Sequence, residues 1–468
     1  MSDQTPQETI ERALAIAAGM TAVDGCIVIA DESNTANLRW ANNTLTTNGV
    51  TNGRRLTVIA SVSGSHGTAA GVVSRSTVHT AELDDLVRAA IAAARENTPA
   101  QDAGPLVAPT GPVGDPWEDA PAETSAAVFE RFVGDLGIEL TKADAEGRRL
   151  FGFAEHVVHS SYLGSSTGLR LRHAQPTGKL EINAKSADLS RSAWSGAATR
   201  DFTDIDVHRD CAELAQRLEW ATRKIELPAA RYETILPPTA LADLMIYMYW
   251  SSGARDAHDG RTVFSKPGGG TRVGEALTQL PVTLRSNPNE PRLACDPFVV
   301  AHASSGESSV FDNGLSLEPT TWIDKGRLNA LIQTRYTASM TGLPVTPAID
   351  NLIFEQAGAT ATVDEMVATT ERGLLLTCLW YIRSVDPQNL LMTGLTRDGV
   401  YLVEGGEVVG AVNNFRFNES PVDMLARMSE VGATTRCLCR EWNDYFNRTA
   451  MPPVRVADFN MSTVSQAS

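Results

Sequence analysis

The chain has 468 residues, of which 43% are hydrophobic and 21% are charged, a composition typical of a globular protein large enough for two cores. Its 56 acidic and 40 basic side chains give a net charge of −16, and no block of Lys or Arg interrupts that balance. Binding to nucleic acid needs a concentrated basic face, so we expect no nucleic acid partner. The longest apolar run, residues 374–382, is far too short to span a membrane, so we expect no membrane partner either.

The cysteines and the N-terminal segment bear on the cellular compartment. Most of the six cysteines are scattered singly, which favours buried thiols in a reducing environment over a disulfide framework. They are Cys26, Cys211, Cys295, Cys378, Cys437 and Cys439. The N-terminal sequence has no basic stretch followed by an apolar core, as a secretory signal would have. We therefore expect a cytoplasmic protein.

The first half of the chain predicts helices packed on an antiparallel sheet. It opens with a helix in which Thr5 is the N-cap, Pro6 takes the first helical position and Glu8 completes a capping box. A second amphipathic helix is predicted at residues 82–96, and we expect both helices to cover one face of the sheet. Between them, four runs have strand patterns and lie at residues 25–30, 38–45, 56–61 and 68–73.

Further helices are predicted at residues 124–146 and 208–224. The second of them is followed by a polar break that contains a proline, which suggests a domain boundary. We therefore predict an N-terminal α+β domain over residues 1–226 and a C-terminal domain over residues 227–468.

The second half predicts a β-rich domain with few helices. Asp-Lys-Gly at residues 324–326 and Glu-Gly-Gly at residues 404–406 separate runs of β-type residues, which indicates two hairpins. Helices are predicted at residues 362–372, where a capping box begins the segment, and at residues 421–430. The predicted fold class is α+β in two domains, the second one a barrel-like or sandwich arrangement of strands.

Several short patterns follow one another as they do in the TldD/PmbA metallopeptidase family, which the chain resembles over nearly its whole length. They are LRWANN at 38–43, SAWSG at 192–196, RDF at 200–202, RYET at 231–234, DEM at 364–366, GVYLVEGGEVV at 399–409 and PVRV at 453–456. The resemblance implies that the two predicted domains are the N-terminal and C-terminal domain types of this family. The family is historically labelled a modulator of DNA gyrase, but no basic patch in this sequence supports contact with DNA.

The resemblance also locates a zinc motif that this chain lacks. Active members carry His-Glu-x-x-x-His, in which two imidazoles hold Zn²⁺ and the glutamate acts as general base on the metal-bound water. Residues 245–250 of this chain read MIYMYW, with neither imidazole nor carboxylate, and the segment 241–250 is typical of a buried apolar helix. The resemblance implies a TldE/PmbA-type subunit that is non-catalytic or regulatory and holds no cofactor. It further implies a TldD-type metallopeptidase partner that carries the zinc, and an unfolded or flexible peptide as substrate.

Three residues are candidates for a site of a different kind. Active family members have a cysteine ligand near the C-terminus, and this chain has Cys437 and Cys439 in that neighbourhood. Leu438 separates the two thiols on a predicted late strand, and we expect one of them to be buried and the other partly exposed. His258 lies in a polar loop after the apolar helix, where loops tend to carry function. Structural thiols and a solvated loop are the simpler interpretation, so we predict no catalytic residue and no metal ligand.

Other motif matches lack the context that their chemistry needs. Residues 164–168 match GxSxG, but a strand pattern follows where a nucleophile elbow requires a helix, so we predict a hairpin turn. The glycine-rich loop at residues 266–271 lacks the Gly-Lys-Ser/Thr order of a phosphate-binding loop. His156 and His159 are three residues apart on a predicted strand, which places their rings on opposite faces.

Two further hypotheses remain open at this point. The chain is either an autonomous hydrolase that uses Cys437 or Cys439 with His258, or a homo-oligomeric binding or scaffold protein, for instance a homodimer. Two roles are open for the aromatic residues Tyr247, Tyr249 and Trp250, which either line a peptide channel or fill the core. Aromatic residues on an apolar helix usually lie in the core, so we expect the second role.

Overall fold

A computed structural model of the chain describes residues 4–21, 23–76 and 80–465. In its first half, helices pack on one antiparallel sheet. The elements are α1 (Pro6–Ala18), β1 (Gly25–Ala41), β2 (Thr44–Gly64), β3 (Gly67–Arg75), α2 (Leu83–Glu96), α3 (Glu130–Ala145), β4 (Arg148–Ser165), β5 (Arg170–Ser186), β6 (Ser192–Thr199) and α4 (Val207–Trp220). The strands are ordered β3-β2-β1-β4-β5-β6, and every neighbouring pair is antiparallel.

The strands β1 and β2 are far longer than the sequence predicts. The predicted runs at residues 25–30 and 38–45 are not separate strands, because the first lies inside β1 and the second crosses the turn into β2. That turn has positive φ at Asn42 and Asn43 (51° and 62°), as a type I′ hairpin requires. The polar middle of β1 has few residues of high strand propensity and is held in place by pairing with β2 and β4.

The two faces of the first sheet have different neighbours. On β1, Val28 and Ala30 pack against the core under α1 and α2, while Trp40 packs against the core under α3 and α4. Ile27 and Ile29 point to the opposite face, as the period of two requires, and join a cluster with the C-terminal half. The sheet therefore lies between its own helices and the second half of the chain, and the prediction that α1 and α2 cover one face is confirmed.

The second half is rich in strands, and its helices are short. The elements are β7 (Lys224–Ile225), β8 (Ala230–Leu236), α5 (Pro238–Trp250), α6 (Ala254–His258), β9 (Val282–Ser286), β10 (Thr320–Asp324), β11 (Arg327–Leu328), α7 (Arg335–Thr341), β12 (Leu352–Gln356), α8 (Val363–Ala368), β13 (Arg372–Leu376), β14 (Trp380–Asp386), β15 (Leu391–Leu395), β16 (Val400–Glu404), β17 (Glu407–Val412), β18 (Phe415–Glu419), α9 (Pro421–Arg427), β19 (Met428–Val431), β20 (Thr435–Cys437), β21 (Thr449–Met451) and β22 (Val454–Val464).

These strands form two sheets. The smaller is ordered β11-β10-β9-β12-β21-β20, and the larger is ordered β14-β15-β18-β22-β8-β13-β16-β17-β7, with β19 also paired to β22. α5 packs between the sheets, and its apolar residues belong to the large core of this half. The predicted fold class, α+β with two domains and a β-rich second one, is confirmed. The domain boundary between residues 226 and 227 stays a prediction.

Both predicted capping boxes and both predicted hairpin turns are present, but four helices are shorter than predicted. α3 begins at Glu130 and not at residue 124, because Ala126–Phe129 form a separate 3-10 turn before it. The capping boxes open α1 and α8, and the turns join β10 to β11 and β16 to β17. α4 ends at Trp220, α8 ends at Ala368 and α9 ends at Arg427. Beyond each end the chain enters a strand, for example β19 after α9, because pairing with a neighbouring strand outweighs local helix propensity there. No helix in the described ranges is long and apolar enough to cross a membrane.

Candidate functional site

The helix α5, where the family resemblance leads us to expect the zinc motif, is enclosed by the core. Pro238 occupies its first turn, and Met245, Ile246 and Tyr249 are at most 3% exposed. The Tyr249 hydroxyl donates to the carbonyl oxygen of Ile349 at 3.0 Å and accepts from its backbone N–H at 2.8 Å, as expected of a core tyrosine. The interpretation of this helix as buried is therefore correct for most of its residues.

The structure places the C-terminal cysteine segment directly against α5. The thiol of Cys437 lies 3.5 Å from the carbonyl oxygen of Pro238, at the start of the helix. In the loop after β20, the indole N–H of Trp442 donates to the carbonyl oxygen of Asp243 at 2.9 Å. The Trp442 ring also contacts the half-buried rings of Tyr247 and Trp250, at centroid distances of 5.6 and 5.4 Å. Two segments singled out in the sequence, nearly 200 residues apart, therefore form one site.

Asp243 connects them and was not among the site residues predicted from the sequence. The segment 241–250 is not apolar on every side, because this carboxylate lies inside it and is fully buried. Its two oxygens accept from the backbone N–H groups of Glu441 at 2.8 Å and Arg440 at 3.2 Å. Burial raises the pKa of Asp243 to about 8, more than these two hydrogen bonds lower it. A lone Asp in an otherwise apolar helix was the available signal, since a buried carboxyl needs such partners.

The thiols of Cys437 and Cys439 are both buried, so the expectation that one of them is partly exposed is wrong. β20 ends at Cys437, and Cys439 already lies in the following loop, where its thiol is 3.1 Å from the carbonyl oxygen of Phe446. The expectation of different exposure also fails on strand geometry, because residues i and i+2 of a strand lie on the same face. Burial raises the pKa of Cys437 to about 12 and raises that of Cys439 as well. Such thiols are poor nucleophiles, because the thiolate is the reactive form.

We expect none of the cysteines to react with a thiol reagent while the protein is folded. All six are free and buried. Ellman's reagent should therefore show no rapidly reacting thiol in the native protein and six reactive thiols per chain after denaturation. The measurement is the absorbance time course with and without guanidinium. A fast equivalent in native protein that disappears in Cys439→Ser but persists in Cys437→Ser would contradict this picture and identify an accessible thiol.

The remaining candidate, His258, is not joined to the cysteines. It ends the short helix α6 and is half-buried, and in the described residues no hydrogen bond or ion pair connects it to Cys437 or Cys439. The described ranges also contain no group of three or more His, Cys, Asp or Glu side chains arranged to hold a metal ion. The space between α5 and the cysteine segment therefore does not fit a zinc ion, and its one helical carboxylate already accepts two backbone hydrogen bonds.

The other motifs take the predicted conformations. Residues 164–168 form the turn between β4 and β5, and the Ser166 hydroxyl accepts from the backbone N–H of Cys26. The glycine-rich loop at residues 266–271 closes through a bridge between Ser265 and Thr271 and no helix follows it. His79 lies outside the described residues.

His156 and His159 do lie on opposite faces of β4. The ring of His156 contacts Thr124 and the carbonyl oxygen of Arg200 on the helix side of the sheet. The ring of His159 lies 3.3 Å from the Asp31 carboxylate on the other face, and His302 of the second half approaches the same carboxylate at 3.3 Å. The pair is therefore divided between two environments, as the strand period predicts.

Comparison with known proteins agrees with this architecture. A family model described as the PmbA/TldA metallopeptidase C-terminal domain matches residues 229–463. The fold is similar to TldE from Thermococcus kodakarensis, with a TM-score of 0.77 and 16% identity over 97% of this chain and 99% of that one. It is also similar to a proposed modulator of a DNA gyrase from Thermotoga maritima, with a TM-score of 0.76 and 16% identity over 97% and 100% of the two chains.

A third similar structure, a proposed modulator of DNA gyrase from Bacteroides thetaiotaomicron, has a TM-score of 0.73 and 15% identity over 98% of this chain and 99% of that one. At these identities the likeness concerns the fold alone. No curated protein sequence gives a significant match. The family model covers half of the chain, so the chain belongs to the PmbA/TldD family of metallopeptidase-like proteins.

Proposed function

We propose that this chain is a non-catalytic or regulatory subunit of a heteromeric TldD/TldE-type zinc metallopeptidase that acts on unfolded or flexible peptides in the cytoplasm. A TldD-type partner would supply the zinc ion and the general base. This subunit would contribute walls of the peptide cleft and a surface for assembly. The chain shares its fold with a protein named TldE, as a subunit of that type would.

The observation that carries the proposal is the closed contact between α5 and the cysteine segment. The residues at the zinc-motif position, 245–250, contain no imidazole or carboxylate, and Met245 and Ile246 are buried in the core. The nearby carboxyl of Asp243 is committed to two backbone N–H groups. A metal-bound water would need both an open coordination position and a free base, and neither is present at this contact.

The alternative of an autonomous hydrolase has less support. A cysteine nucleophile is activated by a neighbouring base or a lowered pKa, whereas both candidate thiols are buried with raised pKa values. A homo-oligomeric scaffold has no specific observation in its favour, and it becomes an outcome of the experiment below.

We expect the protein purified alone to contain far less than one zinc ion per chain and to cleave no unfolded peptide, because it lacks a site for the metal. Co-expression with a TldD-type chain bearing His-Glu-x-x-x-His should give a stable complex that holds one zinc ion per TldD-type chain. The measurements are elemental analysis, size-exclusion chromatography with light scattering, and proteolysis of an unfolded substrate such as casein.

A matched control separates the roles of the two chains. Replacing the glutamate of the partner's His-Glu-x-x-x-His motif by glutamine should abolish proteolysis while the complex stays assembled. In contrast, Cys437→Ser and Cys439→Ser in this chain should leave proteolysis unchanged. One tightly bound zinc ion per chain in the lone protein would refute the proposal. A stable homodimer that binds no TldD-type chain would favour the homo-oligomeric scaffold instead.

A further inference from the structure

A large cleft lies between the two halves of the protein, away from α5. Its volume is about 810 Å³, within the range of ligand-binding sites. We call it the basic cleft, and its walls come from the β5–β6 turn, the segment around β7, the loop before β16, the end of β17 and the end of β22. None of its lining residues belongs to α5 or to the cysteine segment.

The charges lining the basic cleft differ from those of the protein as a whole. Its charged lining residues in the described chain are Lys185, Arg191, Lys224, Arg397, Glu226 and Asp398. Four of these are basic and two are acidic, while the whole chain has 40 basic and 56 acidic side chains. A local positive excess inside an acidic protein attracts anions, and a cleft strengthens that attraction by excluding water.

Several of these basic groups have unused hydrogen-bonding capacity. Within the residues that the structure describes, the side chains of Lys185 and Lys224 have no hydrogen bond or ion pair. The Nε atom of Arg397 is buried without a hydrogen bond, 3.6 Å from Asp398. The side-chain nitrogen of Asn413, which also lines the cleft, is buried and has no acceptor either. The ammonium groups of Lys185 and Lys224 are therefore the donors available to a ligand with acceptor oxygens.

The cleft also has free strand edges. β7 is the last strand of the larger C-terminal sheet and, among the described residues, pairs only with β17, through Lys224 and Ile225. β6 is likewise the last strand of the first sheet and begins at Ser192, on the cleft wall. An extended peptide can add its backbone to such an edge. A phosphate group would need donors that converge on one point, whereas these cations are spread over three separate segments of the wall.

From the positive excess, the unpaired donors and the free edges, we propose that the basic cleft binds an extended acidic peptide segment. Lys185 and Lys224 contact its carboxylates, and the edge of β7 pairs with its backbone. This is a second peptide-contacting region beyond the proposed function, and it does not depend on α5 or on zinc.

The test is fluorescence anisotropy with the full chain and a hexapeptide of alternating Glu and Val that carries an uncharged fluorophore. We expect saturable binding that weakens with added salt, and weaker binding by about tenfold or more in Lys185→Gln/Lys224→Gln, because two opposite-charge contacts are lost. The matched control is Lys266→Gln/Lys325→Gln, which removes the same charge from two exposed loops and should bind like the native chain. Thermal melts verify that all variants are folded.

Three results would each overturn the proposal. The first is equal binding of a peptide with Gln in place of Glu, and the second is unchanged affinity in the cleft variant. The third is displacement of the peptide by inorganic phosphate or free glutamate at concentrations similar to that of the peptide, which would identify a small-anion site. Each of these outcomes leaves the zinc experiment above unaffected, since none involves α5.

Discussion

Replacing Asp243 by asparagine should flatten the dependence of unfolding free energy on pH between about 4 and 8. Burial raises the pKa of this carboxyl to about 8 in the folded protein, from an ordinary value near 4 in the unfolded chain. The folded state therefore holds the proton more tightly than the unfolded state does. Its contribution to stability is complete below about pH 4 and is lost as the pH rises through about 8.

The surroundings of Asp243 explain why the cost of ionisation is large. Its side chain is completely buried, and the groups that act on its charge, beyond the two backbone N–H donors, are the side chains of Arg440, Glu441, Cys378, Cys437 and Cys439. Asparagine cannot ionise, so the unfolding free energy of the variant does not fall at high pH through ionisation of a buried carboxyl. It lacks one acceptor for the two N–H groups, which costs about 1–3 kcal/mol at low pH.

The measurement is urea unfolding of both proteins at several pH values from 5 to 8.5. The variant should be less stable at pH 5, and the difference should shrink or reverse by pH 8.5. Asp243→Leu is the companion variant, because it removes both acceptors and should be less stable still, yet it should show the same loss of pH dependence. A difference between native chain and Asp243→Asn that stays constant across this range would show that the carboxyl is already ionised at pH 5.

Replacing Gly71 by alanine should lower the unfolding free energy by about 3 kcal/mol, the upper end of the usual cost of overpacking. Gly71 lies on β3, under α2, and a Cβ atom built there would overlap the backbone of Ala90 and Ala94. Backbone atoms of a helix cannot rotate away as a side-chain tip can. α2 would therefore have to lift from the sheet and expose Val87, Ala90 and Ile91, which are now buried.

The matched control is Gly134→Ala on α3, where an added Cβ would have no neighbour within 4 Å. This substitution should raise stability by about 0.5–1 kcal/mol, because alanine is the better helix former and restricts the unfolded chain. Chemical denaturation with fluorescence detection compares the two variants with the native chain. Destabilisation by both to the same degree, or by neither, would show that contact with α2 is not what requires glycine at residue 71.

Local signals in the sequence were sufficient for many elements of the fold. The capping boxes of α1 and α8 and the hairpin turns at residues 324–326 and 404–406 are present as predicted, since each depends on side chains or φ angles within a few residues. The ends of α4 and α9 were wrong because pairing with distant strands decides them. Turn chemistry is local, whereas a strand exists only if its partner is present.

The site shows the same division between local and long-range information. The sequence identified residues 245–250 and the cysteine pair separately, and the resemblance to a family suggested that both matter. It did not reveal that Asp243 ties them together, because the partners of this carboxyl are backbone N–H groups, which every residue except proline carries.

By itself, the sequence determined the α+β class, the family and the absence of His and Glu from residues 245–250, because these depend on composition, motif order and residue identity. Tertiary structure decided that both cysteine thiols are buried, that Asp243 occupies the contact between α5 and the segment after β20, and that Lys185 and Lys224 line one cleft. The physical reason is that burial, pKa and convergence of charge are properties of residues far apart in the chain, and folding alone brings them together.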